Sequence, residues 1–289
     1  MKPINEKESI VFINGLFLKE QEAKVSVFDR SYLIGEGLFE TIRVLKRRPL
    51  FLEDHLERLL DSAQALQFQH PFSAEQLRAI VDEVLIRNRL EDGIARIHLS
   101  PESETIGDYE TAPVRFNLLV SCRSFAGLPS EYYTHGVDCI FVESVKAETG
   151  MLVQYKTTNY YSKIIAKREA QAQQAFEGIL LTAQGQIAEG SSSHLFMVKQ
   201  GKILTPPLSA GVLKGITRQI VIQLIEQLNL PFEEVLFFPE ELQLADEAWL
   251  TSSLKGVLPI RKIAGKLLPQ PIPGRLTLKI LKAYQEKWA

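Results

Sequence analysis

Charge of one sign is what this chain most plainly lacks. Its 289 residues carry 33 Lys and Arg against 35 Asp and Glu, a formal net charge of -2, and no basic block stands out. Nucleic acid, which is held by clustered cations, is therefore not an expected partner. Cysteine is scarce as well. Cys122 and Cys139 match no metal-ligand spacing and fit a reducing cytoplasm better than a disulfide framework. No uninterrupted apolar run reaches roughly 18 residues, so no membrane span is expected. The opening Met1-Lys2-Pro3-Ile4-Asn5-Glu6-Lys7-Glu8 has no apolar core of signal-peptide length. Repeats and low-complexity tracts are missing too. What remains is an ordinary globular composition, 45% hydrophobic and 24% charged, with length for one large domain or two medium ones.

Local patterning predicts mixed helix and sheet. Val11 to Leu18 reads as a strand with a tight turn at Asn14-Gly15. Lys24 to Phe28 alternates polar and apolar residues and predicts another strand. Gly35-Glu36-Gly37 precedes a buried strand, Leu38 to Leu45. Residues 53–66 place Leu56, Leu59, Leu60, Ala63 and Leu66 on one helical face. A second helix starts near Ser73, which pairs with Gln76 as a capping box. Arg96–Leu99 and Arg115–Ser121 read as strands, and the polar stretch from Ser100 to Thr111 as a loop. This half is a sheet carrying two helices, an α+β arrangement. Gly127 and Pro129 mark a linker, so the expected division is 1–124, a linker at 125–132, and 133–289. The second half reads as strands at Val137–Val142, Gly178–Thr182, His194–Val198 and Ala248–Thr251. Helices are expected from Asn159 to about Gln174, after the turn at Gly211 up to Leu228, and over 275–287.

Three stretches stand apart from this framework: Tyr155-Lys156-Thr157-Thr158-Asn159-Tyr160-Tyr161, Ile187-Ala188-Glu189-Gly190-Ser191-Ser192-Ser193-His194-Leu195-Phe196, and Leu213-Lys214-Gly215-Ile216-Thr217-Arg218. Taken singly, Lys156 reads as a surface lysine, Glu189 as a turn carboxylate, and Gly215 as a plain helix start. Their combination and spacing resemble the class IV (fold type IV) pyridoxal phosphate enzymes, the group of branched-chain aminotransferases, D-amino acid aminotransferases and aminodeoxychorismate lyase. The resemblance runs from about Val11 to about Ile260 and includes Gly35-Glu36-Gly37-Leu38-Phe39-Glu40.

The resemblance implies a two-domain fold, a small N-terminal α/β sandwich-like domain and a larger C-terminal pseudo-barrel domain. It implies pyridoxal 5'-phosphate as cofactor, carried as a Schiff base by Lys156, whose amine would also move the substrate proton. Glu189 would face the pyridine nitrogen, since the protonated ring is the electron sink. Ile216 and Thr217, at a helix start, would donate to the phosphate, with Arg58 and Ser253 as further phosphate contacts. Tyr160 would touch the ring oxygen. Ser252 to Leu254 form the turn beside the substrate carboxylate. Glu40 and Arg43 match the family's strand pattern, as substrate contacts or as a structural pair. His194 stands where the family usually has Asn. No metal is implied.

For activity, the expectation is an aminotransferase moving an amino group between a neutral, branched-chain-like amino acid and a 2-oxo acid. The alternative is aminodeoxychorismate lyase, releasing 4-aminobenzoate and pyruvate; a D-amino acid aminotransferase or a non-catalytic cofactor-binding protein stand behind it. The acidic stretch Ser100–Glu110 counts against typical D-amino acid and dicarboxylate specificity, because it repels a carboxylate, and it equally lacks the arginine expected for a dianionic substrate such as aminodeoxychorismate, unless Arg96, Arg115 or Arg43 serves. A cytoplasmic homodimer is implied, with the site between the domains and the N-terminal loop of one subunit covering the site of another.

Overall fold

A computed structural model describes residues 9–105, 107, 113 and 115–287. The chain divides into two compact units, Met1–Gly127 with Tyr155–Asn159, and Leu128–Gln154 with Tyr160–Ala289. The Lys156 stretch groups with the first unit, although its sequence position places it among residues 133–289. Backbone pairing is the reason. Phe39 N–H donates to Lys156 O (3.0 Å), Thr158 N–H donates to Gly37 O (2.9 Å), and Leu38 bridges Thr157.

The first unit opens with the hairpin β1 (Ile10–Ile13) and β2 (Leu16–Lys19) around Asn14-Gly15. Helix α1 (Arg30–Ile34) starts at Asp29, whose carboxylate accepts from Ser31 and Tyr32 N–H. Strands β3 (Leu38–Leu45) and β4 (Arg48–Pro49) follow, then α2 (Leu52–Ala65), α3 (Ala74–Arg87), β5 (Gly93–Glu102) and β6 (Arg115–Ser124). The sheet runs β2-β1-β6-β5-β3-β4 and is antiparallel throughout. Strand alternation turns Ile42, Val44, Ala95, Ile97, Leu118 and Val120 to one face, where Leu56, Leu59, Leu77 and Val81 of the two helices cover them. Each such buried Leu, Ile or Val contributes on the order of 1.5–3 kcal/mol.

Two local expectations change here. Lys24–Phe28 is not a strand. Val25 and Val27 are exposed, and Asp29 N–H closes a turn onto Ser26 O (3.2 Å); alternation without a partner strand does not make a sheet. Ser100–Glu102 belongs to β5 rather than to a loop, because Glu102 still pairs with Arg115 across the ladder. Of the acidic stretch, residues 106 and 108–110 lie outside the described residues.

In the second unit α4 (Ser130–His135) takes up the end of the expected linker, and β7 (Val137–Phe141) follows. Then come α5 (Tyr161–Ala172), β8 (Glu177–Leu181), β9 (Ile187–Gly190), β10 (His194–Lys199), β11 (Lys202–Thr205), α6 (Ile216–Gln227), β12 (Phe232–Glu234), α7 (Pro239–Leu242), β13 (Glu247–Ser252), β14 (Gly256–Ile263), β15 (Lys266–Leu267) and α8 (Arg275–Glu286). The sheet order is β12-β11-β10-β13-β14-β7-β8-β9, with β15 on β14. An isolated bridge between Gly190, the last residue of β9, and Ser193, just before β10, brings the ends of these two strands together. The path β10-β13-β14-β7-β8-β9 thus returns to its start, which is the pseudo-barrel. Its core holds Val137, Ile179, Ile187, Leu195, Met197, Leu250, Leu258 and Ile260. Among the described residues no helix is long and apolar enough to cross a membrane.

Candidate active site

In the first unit the chemistry gathers around Lys156 and β3. Gly35, at φ +78°, lies so close to Asn159 that a Cβ there would meet its Oδ1 at 2.1 Å. The Thr158 hydroxyl donates to Gly35 O (2.6 Å). The Gly-Glu-Gly turn and the Lys-Thr-Thr-Asn stretch are therefore built against each other, and Lys156 is held by backbone on both sides. Its Nζ stands over the Phe39 ring, 4.6 Å from the centroid. The Arg96 guanidinium lies over the same ring at 4.2 Å. Arg96 Nε donates to His98 Nε2 (2.7 Å), and His98 stacks on Phe39. Burial, reinforced by the Arg96 charge and opposed by Asp29, pushes the His98 pKa down to about 4. His98 is thus a neutral acceptor at physiological pH.

Phe39 and Glu40 are consecutive on β3 and point to opposite faces. Glu40 turns toward α2. There Arg58 donates to it from Nε (2.8 Å) and Nη2 (2.6 Å), and His55 Nδ1 donates at 2.7 Å. Burial alone would raise the Glu40 pKa, but Arg58 and His55 hold it at about 2. Arg43 is on the Phe39 face. It donates to Gly93 O (2.9 Å) and Phe125 O (2.6 Å) and packs over the Phe125 ring. Glu40 and Arg43 do not share a face, so alternation rules out the structural pair that their spacing left open. Arg115 pairs with Glu102, which compensates one acid of the Ser100–Glu110 stretch.

The second unit brings three turns to one end of its sheet. Glu189, on β9, is buried. Lys163 of α5 donates to its Oε1, and Leu213 N–H donates to Oε2 (3.2 Å). His194 Nε2 lies 3.3 Å from the same oxygen. Burial opposes ionisation of Glu189, yet Lys163 and then His194 lower its pKa below the usual value. His194 Nε2 donates to Leu213 O (2.8 Å), and burial pushes the imidazole down to about 4. The imidazole packs on the α6 N-cap: a Cβ on Gly215 would meet its Cε1 at 2.2 Å. That is what His194 does. It braces the loop before α6 and requires glycine at its start.

At α6 itself, Ile216 and Thr217 are the first helical residues and Gly215 supplies no side-chain cap. The first amides of a helix have no intrahelical acceptor. Thr217 Oγ1 is also buried, with the Tyr284 hydroxyl as its hydrogen-bonding neighbour, and among the described residues Thr251 Oγ1 at the end of β13 is buried without a hydrogen-bond partner. Beside Thr217, burial raises the Tyr284 phenol to about 12. Helix-start amides beside a buried unmatched hydroxyl suit an anion. Thr251 pairs directly with His194 across β10 and β13. The Ser252–Leu254 turn follows, closed by Lys255 N–H onto Ser252 O (3.2 Å). Tyr160, at the start of α5, donates from its hydroxyl to Ser191 O (3.3 Å).

Thus Tyr160, Glu189, Ile216, Thr217 and Ser252 to Leu254 are neighbours in the second unit, linked through Ser191, Leu213 and the His194–Thr251 pair. Lys156 has Phe39 and Arg96 as its company in the first. Arg58 lies with Glu40. Sequence reasoning passed over Lys163, although a signal existed. Lys163 sits at helical spacing with buried Ala166 and Ala170, so a lysine occupies the inward stripe of α5. It also passed over Glu177 and Lys255, whose pairing crosses 78 residues.

The sequence model described as amino-transferase class IV matches residues 37–263. The chain is 30% identical over 271 residues to the aminodeoxychorismate lyase of Bacillus subtilis, covering 88% of this chain and 86% of that one. It is 31% identical over 281 residues to the D-alanine aminotransferase of Staphylococcus epidermidis, covering 96% of each. The structure of the branched-chain aminotransferase from the thermophilic archaeon Thermoproteus uzoniensis with norvaline superposes with a TM-score of 0.88 at 33% identity, over 96% of this chain and 93% of that one.

Proposed function

The chain belongs to the amino-transferase class IV family, and on that premise we propose that it is a pyridoxal-phosphate-dependent aminotransferase that moves an amino group between a neutral, branched-chain-like amino acid and a 2-oxo acid. The residues fit the cofactor. The first amides of α6 are suited to a phosphate, with the Thr217 hydroxyl, shared with Tyr284, at the same helix start and Ile216 and Ser253 beside them in sequence or turn. Glu189 is a buried acid suited to a ring nitrogen, and Lys156 is the amine that would hold the aldehyde. When bound, the cofactor supplies the electron sink that stabilises charge on the substrate's α-carbon. Lys156 takes the α-proton and returns it. Tyr160 and Arg58 remain in their proposed cofactor roles, the first at the ring and the second toward the phosphate.

The observation that carries the substrate class is the Phe39 ring shared by Lys156 Nζ and the Arg96 guanidinium. An amine and a guanidinium gathered on one apolar ring suit a donor with one carboxylate and an apolar side chain. The Ser252–Leu254 turn offers amides to that carboxylate. Glu40 and Arg43, with their contacts to α2 and to backbone carbonyls, act by shaping β3 around Phe39. We assign the working form as a cytoplasmic homodimer, to be checked by solution mass.

A second reading is the lyase. Arg43 and Arg96 project from the same face of paired strands, since Arg96 lies opposite Thr41, and two arginines suit a substrate with two carboxylates. One experiment separates the readings: the visible absorption band of the cofactor-loaded protein, before and after single L- and D-amino acids. Loss of the band with L-leucine or L-valine is expected, and Lys156→Ala should lack the band. Loss with D-amino acids alone would replace the donor assignment. No loss with any donor, together with release of 4-aminobenzoate from aminodeoxychorismate, would make the protein a lyase.

A further inference from the structure

We infer that Lys163 is a positioning residue that shares the Glu189 carboxylate with the cofactor's ring nitrogen and thereby sets how far that nitrogen is protonated. The inference rests on the proposed role of Glu189.

The geometry is compact. Lys163 projects from the inward stripe of α5, the stripe that also carries Ala166 and Ala170. Its Nζ donates to Glu189 Oε1, and the two side chains are only 17% and 7% exposed. Oε2 is engaged from the other side by Leu213 N–H at 3.2 Å and by His194 Nε2 at 3.3 Å. His194 already donates from Nε2 to Leu213 O at 2.8 Å, so its contact with the carboxylate is that of a neutral ring, in keeping with a pKa pushed down to about 4 by burial. Arg218 of α6 is the next charged group near His194. It donates to Pro206 O (2.9 Å) and to Glu234 Oε2 (2.5 Å). Lys163 is therefore the cation seated on Glu189.

Charge balance follows. Glu189 and Lys163 form a neutral buried pair before any ligand arrives. A protonated ring nitrogen beside Glu189 places a second positive charge on one carboxylate, in a setting where charges are weakly screened. Pyridoxal enzymes use an acid to keep that nitrogen protonated, or a cation that does not. This chain presents both at one point. A like charge within a few ångströms disfavours the protonated form by about one to three pKa units. Lys163 thus weakens the electron sink that Glu189 alone would enforce. Lys167, one turn further along α5, donates to Phe176 O and lies near Glu177 instead, so the two lysines of the stripe serve different acids.

The test uses cofactor carrying 15N in its ring, loaded onto the full-length wild-type, K163M and K163R proteins. The 15N chemical shift is followed with pH and reports protonation of the nitrogen directly. In K163M the nitrogen should stay protonated to a pH higher by about one to three units, while K163R should keep the wild-type profile, which a merely structural role would not produce. Coincident titrations of K163M and wild type would overturn the inference. K163Q provides the same comparison should K163M fail to fold. E189Q tests the premise separately: a wild-type titration in E189Q would remove Glu189 as the ring partner, and absence of a Lys156-dependent visible band would remove the cofactor assignment itself.

Discussion

Glu177 and Glu189 are buried acids on neighbouring strands, and they are held in different ways. Glu177, at the start of β8, is fully enclosed. It accepts from the hydroxyls of Ser191, Ser192 (3.2 Å) and Ser193 (2.8 Å), and from Lys255 Nζ (2.6 Å). Burial works against its charge, but Lys255 and Lys167 overcome that and hold it at about 2. Lys255 also donates to Ser192 Oγ (2.7 Å). The Ser191–Ser193 turn and the Ser252–Gly256 turn are thereby tied to one carboxylate. Glu189 instead takes one side chain from α5, one backbone N–H and the edge of an imidazole. The first acid joins architecture. The second is held by one long side chain, one amide and one ring edge. Burial and a lowered pKa are common to both acids; the donors are what tell them apart.

Substitution is the strongest way to break this comparison. Glu177→Ala strands Lys255 and three hydroxyls in the interior. Removing one partner of a buried pair costs about 3–5 kcal/mol, so thermal unfolding should fall by roughly 10 °C. Glu189→Gln keeps size and most hydrogen bonds; its melting temperature should move far less, while turnover drops about a hundredfold or more, the scale for losing one aligned electrostatic contact. If Glu177→Ala melts no earlier than Glu189→Gln, the division between joint and site is wrong.

A smaller effect is expected at the phosphate end. Gly215→Ala drives a Cβ into the His194 imidazole, so equilibrium binding of pyridoxal phosphate should weaken about tenfold or more. Shrinking the neighbour in the Gly215→Ala/His194→Gly pair should recover part of that loss, since residues in contact are not additive. Full additivity would mean that the imidazole is not the obstacle.

The mildest probe is acid. Glu177 and, in the first unit, Glu40 have pKa values lowered from 4.5 to about 2. A depressed carboxylate contributes stability that is complete above its unfolded pKa and is lost as pH falls toward the folded one. Urea midpoints should therefore decline from about pH 4.5 to pH 2, and Glu40→Gln or Glu177→Gln should flatten that decline while lowering the plateau above it. An unchanged slope in both variants would show that neither acid carries the acid sensitivity.

Much of the fold was legible because it is written locally. The turn at Asn14-Gly15, the Ser73–Gln76 capping box and the apolar stripe of α2 each depend on residues a few positions apart. Where pairing is distant, local pattern misled. Lys24–Phe28 alternates like a strand but meets no partner, whereas polar Ser100–Glu102 is a strand because β6 pairs with it. At the candidate site the three motifs pointed to Lys156, Glu189, Ile216 and Thr217 through their resemblance to a family. They did not name Phe39 as the ring beneath the lysine, nor Gly215 as the seat of His194.

By itself the sequence determined which chemical groups are present and in what order, since the three stretches carry an amine, an acid and a small-residue helix start at fixed separations. Only the tertiary structure decided which acid each cation meets. Lys163 and Glu189 are 26 residues apart, and Lys255 and Glu177 are 78 apart. Those partners are set by strand order and by the return of β9 to β10, which no local periodicity encodes.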